Sequence, residues 1–212
     1  MQSADGTKVY RNVVFDLGGV LLAWDPPAFL AGIFSDRLPQ DCPLELAQAT
    51  SLPCWKLLDK GDISREESIA LLPAPFNKED YRRFVEGCLP YFMPLPAGVD
   101  ILNQVRAKGY RTYVLSNFHK EYFDGVYKRY KDEEVCFAKF NGMTISSHVH
   151  CIKPQPEIYQ HLLQDHQLLA EETLFIDDSE ENVAAAQAMG IDALLCKDHA
   201  ALLQEMQRLG AL

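Results

Sequence analysis

The chain alternates between short unbroken apolar runs and longer stretches in which apolar residues recur every three to four positions. Val9 to Phe15 is a largely β-branched run that stops at Asp16-Leu17-Gly18-Gly19. Tyr110 to Leu115 stops at Ser116-Asn117, Thr173 to Ile176 at Asp177-Asp178, and Asp192 to Cys196 at Lys197-Asp198. An apolar run without alternation marks a strand buried on both faces, and the polar cluster after it marks the exit into a loop. A further strand is expected around Phe140 to Ser146. Gly98 to Lys108, Pro156 to Gln167 and Glu181 to Met189 carry helical spacing, and Gly190 stops the last of them. Strands alternating with helices predict an α/β fold with a doubly wound parallel sheet.

In such a sheet the loops at the carboxyl ends of the strands share one rim, where ligands bind. A single βαβ step takes about 30 residues, yet Asp16 and Ser116 lie much further apart along the chain. The surplus carries its own helix-like patterns: Phe29 to Phe34, Leu44 to Ala49, Trp55 to Leu58, Ser64 to Leu72 and Lys78 to Cys88, broken by prolines 39, 43, 53, 73, 75 and 90. The expected organisation is a catalytic core of residues 1–25 and 96–212 with an α-helical cap inserted at 26–95. The Pro-rich stretch Pro90 to Gly98 would be the return hinge.

Composition narrows the partners. Lys+Arg number 20 against 30 Asp+Glu, a net charge of −10, which removes the usual electrostatic basis for nucleic-acid binding. At 48% hydrophobic residues the 212-residue chain is too apolar to be disordered. Its six cysteines form no CxxC pair, so each is expected as a small buried hydrophobe rather than a metal ligand. The first twelve residues are polar with no apolar signal core, and no run reaches the roughly 18 apolar residues of a membrane span. A reduced, cytoplasmic protein with no membrane partner is expected.

The rim loops carry the candidate chemistry. Asp16 leaves a strand ahead of a glycine pair, which would expose its carboxylate beside free backbone amides; Asp before Gly is also ordinary turn punctuation. Asp177 and Asp178 repel one another and call for a counter-charge, which Mg²⁺ would supply, although Asp178 or Ser179 could equally cap the following helix. Ser116 and Asn117 offer small hydrogen-bonding groups to phosphate oxygens, or a helix cap. Lys153, just before a helix opened by Pro156, is either surface charge or a fixed cation at the rim. Together they compose a phosphoryl-transfer site with a carboxylate nucleophile, a metal, hydroxyl and amide donors, and a balancing lysine.

In order along the chain, VVFDLGGVL, VLSN, IKPQPEIY and LFIDDSEENV resemble the four motifs of the haloacid dehalogenase superfamily, a match that spans essentially the whole sequence. The resemblance implies a Rossmannoid core with a helical cap inserted after the first motif. It implies Asp16 as the nucleophile that forms an aspartyl-phosphate, with Lys153 assisting. Ser116, Asn117 and Lys153 would bind the phosphoryl group, and Asp16, the Gly18 carbonyl, Asp177 and Asp178 would hold Mg²⁺. The expected activity is Mg²⁺-dependent hydrolysis of a small phosphorylated metabolite, a sugar phosphate being one candidate. Asn182 would tie the fourth-motif helix to the rim.

One position departs from the family pattern. Its phosphatases usually place a second Asp two residues after the nucleophile as general acid and base, and here Gly18 stands there. Asp25 and His119 are candidate replacements. Dehalogenases of the superfamily also lack that Asp and work without metal, which the intact Asp177-Asp178 pair speaks against. A non-catalytic binding or regulatory protein is the remaining alternative, and retention of the whole set of site residues weighs against it. DLGGV, WKLLDKGDISREES and SSHVHCIKPQPEIYQHLL look most like the bacterial group that includes an α-D-glucose-1-phosphate phosphatase, which tolerates a non-acidic residue at this place. Trp24, Trp55, Tyr91 and Phe92 would either line the substrate pocket or pack the cap's own core.

Overall fold

The structure, a computed structural model, describes residues 9–212; the polar segment before residue 9 lies outside the described residues. Five parallel strands, β1 (Asn12–Phe15), β2 (Arg111–Ser116), β3 (Gly142–Ile145), β4 (Thr173–Asp177) and β5 (Asp192–Leu195), form one sheet in the order β3-β2-β1-β4-β5. All four residues of β1 are buried. With period-two alternation they feed both faces: Val13 and Phe15 enter the core on one side and Val14 enters that on the other. The unbroken apolar runs of the sequence follow from this two-sided burial.

Between β1 and β2 the chain runs through α1 (Pro26–Ile33), α2 (Pro53–Lys60), α3 (Arg65–Leu71), α4 (Lys78–Gly87) and α5 (Pro96–Ala107). The later helices are α6 (Lys120–Tyr130), α7 (Ser146–Val149), α8 (Pro156–Asp165), α9 (Glu180–Ala188) and α10 (His199–Arg208). α5, α10 and the helical insertion pack their apolar sides into the core that holds Phe15, while α8 and α9 cover the opposite face with Ile158, Leu162 and Ala186. Segment Leu44–Ser51, with a helix-like apolar pattern, is a 3-10 helix between Pro43 and Pro53. The ring of Pro53 disfavours α geometry at Leu52, which is extended and ends the segment. Sequence periodicity passed over α6 and α10.

Strand order reverses at β1. The chain moves outward through β2 and β3, then returns to place β4 on the other flank of β1. The register Phe15 to Ile176 and the 2.9 Å hydrogen bond from the Asp16 amide to the Ile176 carbonyl set the two motif-bearing strand ends side by side. This reversal is where open α/β sheets form their ligand crevice.

Candidate active site

Asp16, Lys153, Asp177 and Asp178 converge at that crevice. Lys153 is 3% exposed and its ammonium uses all three donors, to the Leu115 carbonyl at 3.1 Å, to Asp16 Oδ1 at 2.9 Å and to Asp177 Oδ2 at 2.6 Å. Burial alone would lower the lysine pKa, but the two carboxylates outweigh it and raise it, so the ammonium stays charged. Burial raises Asp16 to about 7, against the lowering pull of Lys153 and with the further push of Asp177 and Asp178. Burial and Asp177 likewise raise Asp178.

Neighbours fix each of these groups. Asp16 Oδ1 also accepts the Leu17 amide at 2.7 Å. Asp177 Oδ1 accepts from the Ser179 amide and from Asn182 Nδ2, both at 2.9 Å, so Asn182 does tie α9 to the rim. Asn117 gives both polar atoms of its side chain to the Lys153 backbone, Oδ1 accepting at 2.8 Å and Nδ2 donating at 3.0 Å. Its side chain therefore positions Lys153, and the residue also lines the crevice where a phosphate contact is expected from sequence. Ser116 ends β2, buried, at the same crevice. Gly19 has φ +70, and a Cβ there would sit 2.3 Å from Asp178 Oδ2. Glycine thus lets the Asp178 carboxylate lie across the first loop.

One carboxylate oxygen from each of Asp16, Asp177 and Asp178 lies within 4.8 Å of the others. Three carboxylates face one ammonium at close range, a surplus of negative charge that a hard divalent cation with oxygen ligands fits.

The crevice opens into a cavity of about 310 Å³ between core and insertion. Asp16, Gly18, Ser116, Asn117, Lys153, Asp178 and Asn182 line its floor. Trp24, Trp55, Phe92, Phe118 and Tyr122 form an aromatic wall, and Thr50, Ser51, Asp59 and His119 add polar groups. Trp24 stacks on Phe92 with centroids 5.8 Å apart and planes 3° from parallel, and lies 6.0 Å from Trp55. Three of the four expected aromatics thus reach the cavity. Tyr91 does not: it packs on Phe29 and over Gly32, beside a separate surface depression.

The two candidate acid/base replacements part company. Asp25 is exposed and caps α1, accepting the Ala28 amide at 3.0 Å, so it is a capping residue. His119 is buried and lines the cavity, with its ring edge-on to Tyr122 at 5.0 Å. Burial lowers its pKa, and its Nδ1 has no hydrogen-bond partner. Asp59, at the end of α2, also lines the cavity; as an acid followed by Lys60-Gly61 it reads in sequence as a solvated helix end.

The family model for haloacid dehalogenase-like hydrolases matches residues 10–190. The chain belongs to this family. It is 26% identical over 206 residues to the sesquiterpene phosphatase of Aspergillus oryzae, covering 94% of this chain and 96% of that protein. It is 24% identical over 210 residues to the D-ribitol-5-phosphate phosphatase of Bacteroides thetaiotaomicron, covering 92% and 96%. A crystal structure of a haloacid-dehalogenase-family enzyme from Bacteroides thetaiotaomicron, in complex with magnesium and inorganic phosphate, shares the fold with TM-score 0.69 at 23% identity, covering 91% of this chain and 98% of that one. The chain is thus a haloacid-dehalogenase-type hydrolase with phosphatases among its relatives of matching length.

Proposed function

We propose that the protein is a Mg²⁺-dependent phosphomonoesterase that works through an aspartyl-phosphate on Asp16. The observation that carries this reading is the placement of Asp16, with Oδ1 held by Lys153 and the Leu17 amide, on the floor of a cavity beside two further carboxylates. Such a carboxylate has one oxygen anchored and the other available to attack phosphorus. Asp16, Asp178 and the Gly18 carbonyl would hold Mg²⁺, with Asp177 joining them while it anchors Lys153. When bound, the ion offsets charge on the phosphoryl oxygens and screens the incoming dianion from the carboxylates. Lys153 and the Ser116 hydroxyl would bind the equatorial oxygens.

The cavity bounds the rest of the substrate. Its volume, about 310 Å³, sits at the lower end for ligand pockets, and its aromatic wall fits a small apolar or aromatic body on the phosphate. The A. oryzae relative, whose name specifies a sesquiterpene substrate, supports that choice. Thr50 and Ser51 favour a second reading, a sugar or polyol phosphate, in keeping with the D-ribitol-5-phosphate phosphatase. A panel of prenyl, aryl and sugar monophosphates ranks the two by kcat/KM.

Asp16→Asn tests the mechanism. Turnover of an aryl phosphate should fall to background with the fold unchanged by circular dichroism, and wild-type turnover should vanish in EDTA and return with Mg²⁺. Retained hydrolysis by the variant, or metal-independent halide release from a 2-haloacid, would contradict it.

A further inference from the structure

An enzyme that makes and breaks an aspartyl-phosphate needs a proton donor for the leaving oxygen and a base for the attacking water. Gly18 offers neither. A Cβ at that position would meet Trp24 Cβ at 3.3 Å and Cγ at 3.5 Å. The Trp24 side chain lies beside the nucleophile loop, and a side chain at position 18 would need it to give by a few tenths of an ångström.

We infer that Asp59, reaching into the cavity from the insertion, is the general acid and base of this site. The inference rests on the aspartyl-phosphate reading above. Asp59 lines the same cavity as Asp16, Lys153 and Asp178, and its side chain is half-buried. The Trp55 side chain, one turn back on α2, and the His119 backbone N–H lie near its carboxyl group and favour its ionised form. No lysine or arginine pairs with it among the described residues. Burial, opposed by those two groups, pushes it up to about 7, so protonated and ionised forms both exist near neutrality. The titratable groups whose charge reaches it are Tyr81 of α4 and Tyr122 of α6; Asp16, Lys153, Asp178 and the His119 ring share its cavity. A bound phosphate dianion would further favour the neutral, proton-donating form.

Its helix is fastened to the core at this point. Ser146 Oγ donates to the Asp59 carbonyl at 2.5 Å and accepts the Phe118 amide at 2.9 Å. Gly61, at φ +75, closes α2 directly against Ser147, where a Cβ would come within 2.7 Å of the Ser147 carbonyl oxygen. Asp59 is therefore held relative to the second-motif loop, which a residue passing protons at the reaction centre requires.

In the first step Asp16 forms a bond to phosphorus, the bond from phosphorus to the ester oxygen breaks, and that oxygen takes the Asp59 proton. In the second step the Asp59 carboxylate removes a proton from water as the water oxygen bonds to phosphorus. The bond from phosphorus to the Asp16 oxygen breaks, phosphate leaves, and Asp16 returns as a carboxylate and Asp59 as a protonated carboxyl group.

The test compares wild type with Asp59→Asn, an isostere that cannot exchange a proton. Turnover of alkyl phosphates should fall about 10²–10⁴-fold. Formation of the phosphoenzyme from p-nitrophenyl phosphate, whose leaving group needs no proton, should fall far less, so that the phosphoenzyme accumulates. Trp55→Phe, which keeps the carboxyl group but removes a group that favours its ionised form, should move the alkaline limb of the wild-type pH profile upward. An Asp59→Asn enzyme with no loss, or an equal loss in the rate of phosphoenzyme formation from alkyl and aryl esters, would overturn the inference; so would an unmoved limb in Trp55→Phe. Asp16→Asn separates the two readings, since its retained turnover would sink the nucleophile assignment whatever Asp59 does.

Discussion

At the residue scale, the site depends on close approaches that only glycine permits. Gly19 combines a left-handed φ of +70 with a position 2.3 Å, measured from an added Cβ, from the Asp178 carboxylate. Gly19→Ala should therefore strain the loop by about 1 kcal/mol and push Asp178 aside. The Mg²⁺ concentration for half-maximal activity should rise about 10–100-fold, in line with other changes to groups that support metal ligands. A metal titration of activity, with a urea melt of the apoprotein alongside, reads both effects; unchanged Mg²⁺ dependence would remove Asp178 from the metal set. The motif residues are legible in sequence because each stands where an apolar run ends, a signal that needs no coordinates. The role of Asn117 is not: nothing in VLSN distinguishes a side chain aimed at phosphate from one that holds a backbone 36 residues away.

At the scale of elements, the three most buried strands are the most readable. β1, β2 and β4 lie within a residue or three of the segments their apolar runs mark. α6 is harder to read because its apolar residues are three tyrosines, a phenylalanine and one valine among charged residues, with Gly125 admitting Leu89 from the segment after α4. The end of α2 hid Asp59 in the same way, since a charge before a C-terminal glycine is ordinary for an exposed helix. Burial there carries a thermodynamic signature. With a folded-state pKa of about 7 against an ordinary 3.8, Asp59 favours the folded state fully below the lower value and loses that contribution as pH rises through the higher one. Asp59→Asn, which cannot ionise, should gain stability relative to wild type between pH 5 and pH 8, measured by thermal or urea unfolding without Mg²⁺. A constant difference across that range would mean that Asp59 is ionised throughout.

At the scale of the whole molecule, the charge of −10 acquires a location. Three of the acids, Asp16, Asp177 and Asp178, meet at the cavity floor or directly beneath it, while Lys153 is the one lysine or arginine among the residues lining it. No broad positive field draws an anionic substrate in, so recognition falls to one lysine, loop amides and Mg²⁺. Raising the salt from about 50 to 500 mM should leave kcat/KM unchanged or raise it a few-fold, because screening weakens repulsion between protein and substrate. A steep fall with salt would reveal an attractive field that this charge distribution lacks. At this scale the sequence shows that a large segment is inserted between the first two motifs. That Trp24 and Trp55 line the cavity of the nucleophile, and that Ser146 pins the insertion to the core, depends on contacts between residues far apart in the chain.

The central claim is that the Asp16 carboxylate carries the phosphoryl group between two half-reactions. Rapid acid quenching during steady turnover, followed by borohydride reduction and mass spectrometry of the peptide spanning Val13 to Leu22, tests it directly. Reduction converts an aspartyl-phosphate to homoserine, so homoserine should appear at position 16 in the presence of substrate and Mg²⁺, and be absent without either. An unmodified Asp16 under conditions where substrate is being hydrolysed and acyl-phosphate is recovered from another residue would contradict the account.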